Sequence, residues 1–427
     1  MYCHTHEIPS NYHTIIAIDW ADAKHDFRIR TVNEETTLTL SNNLPKLKDF
    51  FLEILEDNNW QKIAVVIENT QSSLMHLLQS ISHFDIYAVH PTTASAYART
   101  FCPSGAKNDT SDTASLMDLF CKHPEKIRLL NINKDARLLR AYSEKRRETV
   151  EERKKATCQM LALLKKYYPV DLKIMGDNLY SSTHLEFFEK WSTPQKLKQA
   201  SKSALTRFFN KRTNKKSLTP IRVEVVQACM SVVEDDDLTE LYETQLLDFH
   251  RRVKVFNESI RVYDSKLKQH YEKNIDHLIF DSLPGAGPVM GPRLMAFFGN
   301  DRTIFQGVEE ALQHSEIAPV LIQSGKTKMV KRRYMCSKFR QQTFVEFADG
   351  SRKKSLWAQE FYKRKKAQGK SHYTILRALA FKWIRIIYKC WIDKVSYDEN
   401  KYLEALQKLG SPLVNNSLNS STKEVLN

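Results

Sequence analysis

The sequence predicts an α/β N-terminal domain followed by a mostly helical remainder, and three observations carry that expectation. Over the first 125 residues, short apolar or alternating runs take turns with stripes of helical spacing. Two long, charged amphipathic stretches then follow, at about 133–168 and 238–273. From about residue 275 the chain is helical in pattern and strongly basic.

Taken in order, Thr14–Ala21 (TIIAIDWA) is a short apolar run, Lys24–Val32 alternates, and Glu35–Leu40 is Thr-rich and also alternates. Short turns between them make this an antiparallel meander. Leu44, Leu47, Phe50, Phe51, Ile54 and Leu55 form one helical stripe, and Ile63–Ile67 (IAVVI) reads as a buried strand. A helix over Ser72–Ile81, a strand over Ile86–Val89 and a helix over Asp109–Lys122 complete the order β-β-β-α-β-α-β-α. That order suits a ribonuclease H-like domain, in which a three-stranded meander continues into parallel strands through helical crossovers. The two charged stretches suggest an antiparallel coiled-coil arm or a dimer contact, and equally two surface helices of one bundle. The segment between them, 171–236, is helical and basic in part, with no assignable chemistry. The expected boundaries are 14–125, 126–274, 275–395 and a polar tail over 396–427, with disorder from about Asn415.

Sixty-five Lys and Arg against fifty Asp and Glu give a net charge of +15. Such a surplus steers toward polyanions and releases their counterions, a bias also found in ribosomal, nuclease and membrane-surface proteins. No two of the seven Cys fall at metal-ligand spacing, which argues against a zinc site and against a disulfide framework. The polar first residues lack the apolar core of a signal peptide, and no apolar run is long enough to span a membrane. A cytoplasmic, nucleoid-associated location is the expectation.

Four acids stand out. Asp19 interrupts an apolar strand, where a buried carboxylate costs several kcal/mol (about 3–5) unless it has a cationic partner. Glu68 ends the IAVVI strand in the same manner. Asp109 and Asp112 are three apart where a helix begins, hence on one helical face. Singly, Asp109 fits an N-cap, Asp112 a first-turn dipole partner, and Glu68 a surface acid. Together, at the open edge of such a sheet, they are a candidate site for Mg²⁺, with two ions expected. Lys107 is placed to meet a phosphate or solvent.

In LPGAGPVMGPRLMA, Gly285 and Gly287 form a turn between two short helices, a helix-hairpin-helix-like element whose free N–H groups can hold a phosphate. A plain glycine turn is the alternative. Ser324, followed by Gly325 in a polar and basic loop, is a weak nucleophile until activated, and such a pair is commonly only a turn. From Lys326 to Lys370 there are fifteen Lys or Arg and three acids, interleaved with aromatics. That is the pattern of a nucleic-acid surface, with Lys326, Lys328, Lys331, Arg332 and Arg333 foremost.

These blocks, in this order, resemble the insertion-sequence transposases with four acidic residues and a catalytic serine, a family that includes the pilin-gene-inverting recombinase. The resemblance covers about 14–122 and 275–393. It aligns Asp19 in IAIDWADAKHD, Glu68 in VVIEN, and Lys107, Asp109 and Asp112 with the family's acidic motifs, and Ser324 in IAPVLIQSGK with its nucleophile. It implies a RuvC-like first domain and a C-terminal transposase domain. It further implies Mg²⁺ held by the acids of one subunit that activates Ser324 of another, and a phosphoserine link to DNA that a second strand's hydroxyl resolves. A dimer-to-tetramer assembly and guidance by a structured, element-encoded RNA are implied as well. Two departures concern turn geometry: Asn69-Thr70-Gln71 after Glu68, where the family has a small residue and then Thr-Gly, and Cys336-Ser337-Lys338 in place of a glycine-containing turn. Against strand exchange stand a structure-selective nuclease that uses water, and a non-catalytic nucleic-acid-binding protein.

Overall fold

A computed structural model describes residues 8–413 apart from 69–71, 102–108, 131–133, 169, 171–177, 213–215, 230–232, 234, 326, 332 and 334–336. The chain forms two compact units, Met1–Ile132 and Asn133–Asn427.

In the first unit, β1 (Thr14–Trp20), β2 (Lys24–Thr31) and β3 (Glu35–Ser41) form an antiparallel meander. The chain returns through α1 (Leu44–Asp57) to β4 (Ile63–Ile67), which runs parallel to β1, then through α2 (Ser73–Ser80) to β5 (Phe84–Ala88), parallel to β4. The sheet order is β3-β2-β1-β4-β5-β6, with the short β6 (Arg128–Leu129) antiparallel at the edge. Ile15–Ile18 and Ile63–Ile67 are wholly buried, as expected for central strands covered on both faces.

Side-chain alternation assigns the two faces. Ile16, Ile18, Phe27, Val65 and Ile67 pack with Leu47, Phe51 and Leu55 of α1 and Leu74 and Leu78 of α2. Ile15, Ala17, Ala64 and Val66 pack instead with Leu116, Met117, Leu119 and Phe120 of α4 (Asp109–Lys122). Asn43 caps α1 by accepting from the Lys46 amide, and Ser72 caps α2 through the Met75 amide. The sequence reading lacked α3 (Pro91–Phe101) and β6. The α3 sequence, PTTASAYARTF, carries too few large apolar side chains to show a stripe.

The second unit is almost entirely helical. Its longest elements, α5 (Lys134–Tyr167) and α10 (Asp236–Glu272), pack side by side. They run antiparallel: Arg146 pairs with Asp264, and Arg153, seven residues on, donates to Asn257 Oδ1 at 2.9 Å, seven residues back. Thr239, Leu246, Val253, Ile260 and Leu267 of α10 are all buried, a strict seven-residue seam. Between these helices α6 (Ser182–Lys190), α7 (Pro194–Lys198), α8 (Lys202–Arg212) and α9 (Thr219–Gln227) close around Tyr167, Tyr168, Phe187, Phe188, Trp191 and Phe209. We call this group the head.

The remainder comprises α11 (His277–Asp281), α12 (Gly287–Phe298), α13 (Val308–His314), the hairpin β7 (Val320–Ser324) and β8 (Thr327–Lys331), α14 (Lys338–Ser351), α15 (Leu356–Ala367), α16 (His372–Asp393) and α17 (Glu399–Lys408). Its axis is α16, whose Ile375, Leu379, Trp383, Ile387 and Trp391 are buried in the core shared with Trp357 and Phe344. Among the described residues no helix is long and apolar enough to cross a membrane.

Candidate functional site

The register of three strands fixes where the acids stand. β1 and β4 are paired in parallel with Ile18 beside Ile67, so Asp19 and Glu68 follow one step later at adjacent carboxyl ends. Neighbouring strands lie about 4.8 Å apart. Alternation puts Asp19 on the face of Ile15 and Ala17, and Glu68 on the face of Ala64 and Val66. Both carboxylates therefore belong to the side of the sheet that α4 covers. Each is partly exposed, as a residue at the rim of a core should be.

Asp112 lies in the first turn of α4, on the stripe continued by Leu116 and Leu119, which pack on the sheet. At the other end of α4, Arg30 Nη1 donates to Cys121 Sγ at 3.3 Å, and Arg30 is the β-ladder partner of Ile15. Four strand residues from Ile15 to Asp19 span about 13 Å, and nine helical residues from Cys121 back to Asp112 also span about 13 Å. The first turn of α4 thus comes level with the strand ends that carry Asp19 and Glu68. Burial lifts the Cys121 thiol above its ordinary range despite the guanidinium beside it. Asp109 opens α4, but its side chain, like all of Lys107, lies outside the described residues. Among the described residues no three His, Cys, Asp or Glu side chains stand grouped as metal ligands.

One acid here escaped the sequence reading. Asp26 is the direct ladder partner of Asp19, on the same face, and it accepts from the Thr39 hydroxyl. Its signal lay in the turn at 21–23: pairing the flanking runs about that turn brings Trp20 to His25 and Asp19 to Asp26.

In the second unit, Ser324 does not lie in a loop as the sequence suggested. It is the last residue of β7, paired with Thr327 across a two-residue turn in which Gly325 has φ 53°. Ser324 and every described residue of the turn and β8 are exposed, including Lys328 and Lys331. Lys326 and Arg332 lie outside the described residues, as do 69–71, Cys336 and the tail from 414. Arg333 is half-buried. On the Ser324 face, Ile322 opposes Met329, and both are largely exposed. The hairpin thus presents a hydroxyl at the turn of a thin, cation-edged ribbon, a shape that a DNA groove can admit.

The two glycines of the helical turn differ. A Cβ at Gly285 (φ 89°) would stand 2.9 Å from the Gly350 carbonyl carbon, so this glycine allows two backbones to touch. Gly287 (φ 54°) opens α12 with nothing within 4 Å of a Cβ position, which leaves the helix N-terminus accessible to an anion. Farther along α12, buried Arg293 donates to Thr343 Oγ1 and pairs with Glu346 at 2.7 Å. Nothing in the residues flanking Arg293 signals that buried pair.

A family model of the IS110 DEDD type, described as a transposase, matches residues 16–169. That span holds the whole strand-and-helix arrangement bearing Asp19, Glu68, Asp109 and Asp112. Residues 16–169 are thus similar to an IS110-family transposase domain. It is 24% identical to the mini-circle putative transposase for IS117 of Streptomyces coelicolor, over 90% of this chain and 95% of that protein. An uncharacterized 44.8 kDa protein of insertion element IS116 from Streptomyces clavuligerus is 21% identical over 90% of this chain and 92% of its own length. An uncharacterized 42 kDa protein of IS900 from Mycobacterium paratuberculosis is 22% identical over 48% of this chain and 52% of its own. The first two likenesses extend well past the span matched by the family model, through the second unit of the chain.

Proposed function

We propose that the protein is an insertion-sequence transposase that exchanges DNA strands through a serine–phosphate intermediate. The observation that carries this reading is the arrival of Asp19 and Glu68 at adjacent strand ends, on the face covered by the helix that begins with Asp109 and Asp112. In this reading the N-terminal domain is ribonuclease H-like, of the RuvC type. The donor set is all oxygen, and Asp19 directly opposes Asp26, an arrangement that a divalent cation relieves. Asp19, Glu68, Asp109 and Asp112 are the residues that would hold Mg²⁺, two ions in our reading. Bound there, it would neutralise charge on the transferring phosphoryl group.

The remaining work belongs to side chains of the chain itself. Ser324 Oγ forms a bond to a DNA phosphorus while the bond from phosphorus to the leaving sugar oxygen breaks. The serine gives up its proton, and the leaving oxygen departs as a hydroxyl. In the second step a hydroxyl of another strand attacks the same phosphorus, and Ser324 regains a proton. Exposure at the turn lets Oγ reach a bound backbone. Lys107, Lys326, Lys328, Lys331, Arg332 and Arg333 would hold the flanking phosphates, with the α12 N-terminus at Gly285 and Gly287 as a further anchor. Guidance by a structured, element-encoded RNA and a dimer-to-tetramer assembly belong to the same reading.

The test mixes protein, Mg²⁺ and junction-containing element DNA and looks for a denaturant-resistant protein–DNA adduct. An adduct that is absent in Ser324→Ala and in Asp19→Asn supports the proposal. Cleavage that persists in Ser324→Ala, without an adduct, would replace it with a water-using nuclease. Binding without adduct or cleavage in the wild type, unchanged in both variants, would leave only a nucleic-acid-binding protein.

A further inference from the structure

The head between α5 and α10 has no part in the chemistry above, yet it carries a long acid-free basic run. From Lys190 to Arg222 there are ten Lys or Arg and no Asp or Glu. We propose that the head is a separate DNA-contact surface that grips the phosphates of duplex DNA without reading its sequence.

The head has the means to stand firm under such a load. Tyr167 and Tyr168 donate their hydroxyls to the carbonyls of Ser192 and Trp191 at 3.0 and 2.9 Å, which ties the end of α5 to the segment entering α7. Leu205 and Phe209 of α8 and Val223 and Val226 of α9 are wholly buried in the same core. Opposite that buried stripe, α8 exposes Ser203, Arg207, Asn210 and Lys211, which share one face at i, i+4, i+7 and i+8. Lys198, Lys202 and Lys216 are exposed as well. Among the described residues, Lys198, Lys202, Arg207, Lys211 and Lys216 have no carboxylate within salt-bridge distance. Glu186 pairs with Arg212, Glu243 with Lys196, and Glu189 with Lys254 at 2.7 Å, and the remaining described acid of the head is the exposed Glu224 of α9. Asp235 is used as the N-cap of α10. On α8 the uncompensated charge, Arg207 and Lys211, is therefore concentrated on one exposed side.

The chemistry of that side selects among polyanions. Single strands are held largely by stacking bases on open aromatic rings, but the aromatic rings here turn inward. Trp191, Phe187 and Phe209 are buried, and Phe208 packs edge-on among them, 5.3 Å from Trp191. A lipid surface would require a sizeable exposed apolar area, and among the described residues of 178–229 only Leu218 and Ile221 are exposed large apolar side chains. What remains is a row of cations with neutral hydrogen-bonding neighbours on a rigid helix, the pattern that meets a duplex backbone.

The full-length protein tests this through the salt dependence of its affinity for a labelled duplex of arbitrary sequence, read by fluorescence anisotropy. Removing four phosphate contacts with the quadruple variant Lys198→Gln, Lys202→Gln, Arg207→Gln, Lys211→Gln should lower the slope of log affinity against log salt by about 3–4. The Arg207→Gln, Lys211→Gln pair should lower it by about 2. Exchanging the three lysines for arginine should restore the wild-type slope. A matched set in the same unit, Lys268, Lys389, Lys401 and Lys408 to Gln, should leave it unchanged. Equal slopes for head and control variants would overturn the proposal. So would a loss confined to structured RNA, or a loss confined to anionic phosphatidylserine vesicles. Ser324→Ala, which tests the chemistry, should not move this slope, so the two proposals fail separately.

Discussion

Asp19 stands directly opposite Asp26 in the β1–β2 ladder, so two carboxylates share one face of adjacent antiparallel strands. Like charges in that position destabilise a sheet by about 0.2–1 kcal/mol. A cation bound only by the folded state would reverse the penalty by mass action. With chelator present, Asp19→Asn should therefore melt no lower than wild type. On addition of Mg²⁺ the wild type should gain melting temperature and the variant should gain less. Identical Mg²⁺ responses in differential scanning fluorimetry would remove Asp19 from any cation site.

Gly285 and Gly287 separate packing from ligand access within one turn. At Gly285 a methyl group meets the Gly350 backbone at 2.9 Å, at a φ that side chains rarely adopt. Gly285→Ala should cost about 2–4 kcal/mol, combining overpacking with left-handed strain. Gly287→Ala meets nothing within 4 Å and should cost only the strain, about 1 kcal/mol. Urea unfolding of both variants checks the difference, and equal losses would show that the backbone contact with Gly350 is unimportant.

His250 makes the attachment of the head sensitive to pH. It is buried in α10, with Nε2 2.8 Å from the Leu185 carbonyl oxygen of α6. Burial lowers its pKa below the ordinary 6.5, against the opposing pull of the Leu185 hydrogen bond; Lys254 and Arg251 also lower it, and Glu189 raises it. The unfolded chain then takes up the proton more readily than the folded one, so stability is full above 6.5 and falls as pH drops through and below that value. His250→Gln should lose less melting temperature between pH 7.5 and pH 5.5, a span of about two units around the ordinary histidine pKa, than wild type does. An unchanged pH dependence would assign the acid sensitivity elsewhere.

Much of this arrangement could be read in the residues. An acid closing an otherwise apolar run is conspicuous in TIIAID and in IAVVIE, and the structure ends β1 and β4 at those points. The mixed α/β sheet and the helical remainder also followed from periodicity. Asp26 did not, because alternation within one strand says nothing about register against the next. The Ser324 hairpin was missed for a different reason. Both its faces are exposed, so no apolar–polar alternation marks it, and its Lys residues read as loop. Residues 190–222 show only composition until α8 sorts Arg207 and Lys211 to one side and Leu205 and Phe209 to the other. Nothing in PVMGPRLMA reveals that α14 covers Arg293.

That buried guanidinium supports a last prediction. Burial pulls Arg293 below its ordinary range, and the hydrogen bond and charge of Glu346 oppose the shift. Glu346 also accepts from Arg147 of α5 at 3.1 Å, so one carboxylate joins α5, α12 and α14. Glu346→Ala would leave Arg293 buried with Thr343, Met290 and the Phe339 ring, and no described carboxylate, as partners. Breaking a buried pair costs about 3–5 kcal/mol, and because Glu346 is 34% exposed the solvent-screened loss should be nearer 2–3 kcal/mol. Arg293→Met keeps the volume and removes the charge, and Glu346 retains Arg147, so that variant should stay within about 1 kcal/mol of wild type. Chemical denaturation of the two variants compares them directly. A larger loss in Arg293→Met than in Glu346→Ala would mean that the guanidinium contributes through its own hydrogen bonds to Thr343, and that the ion pair is secondary.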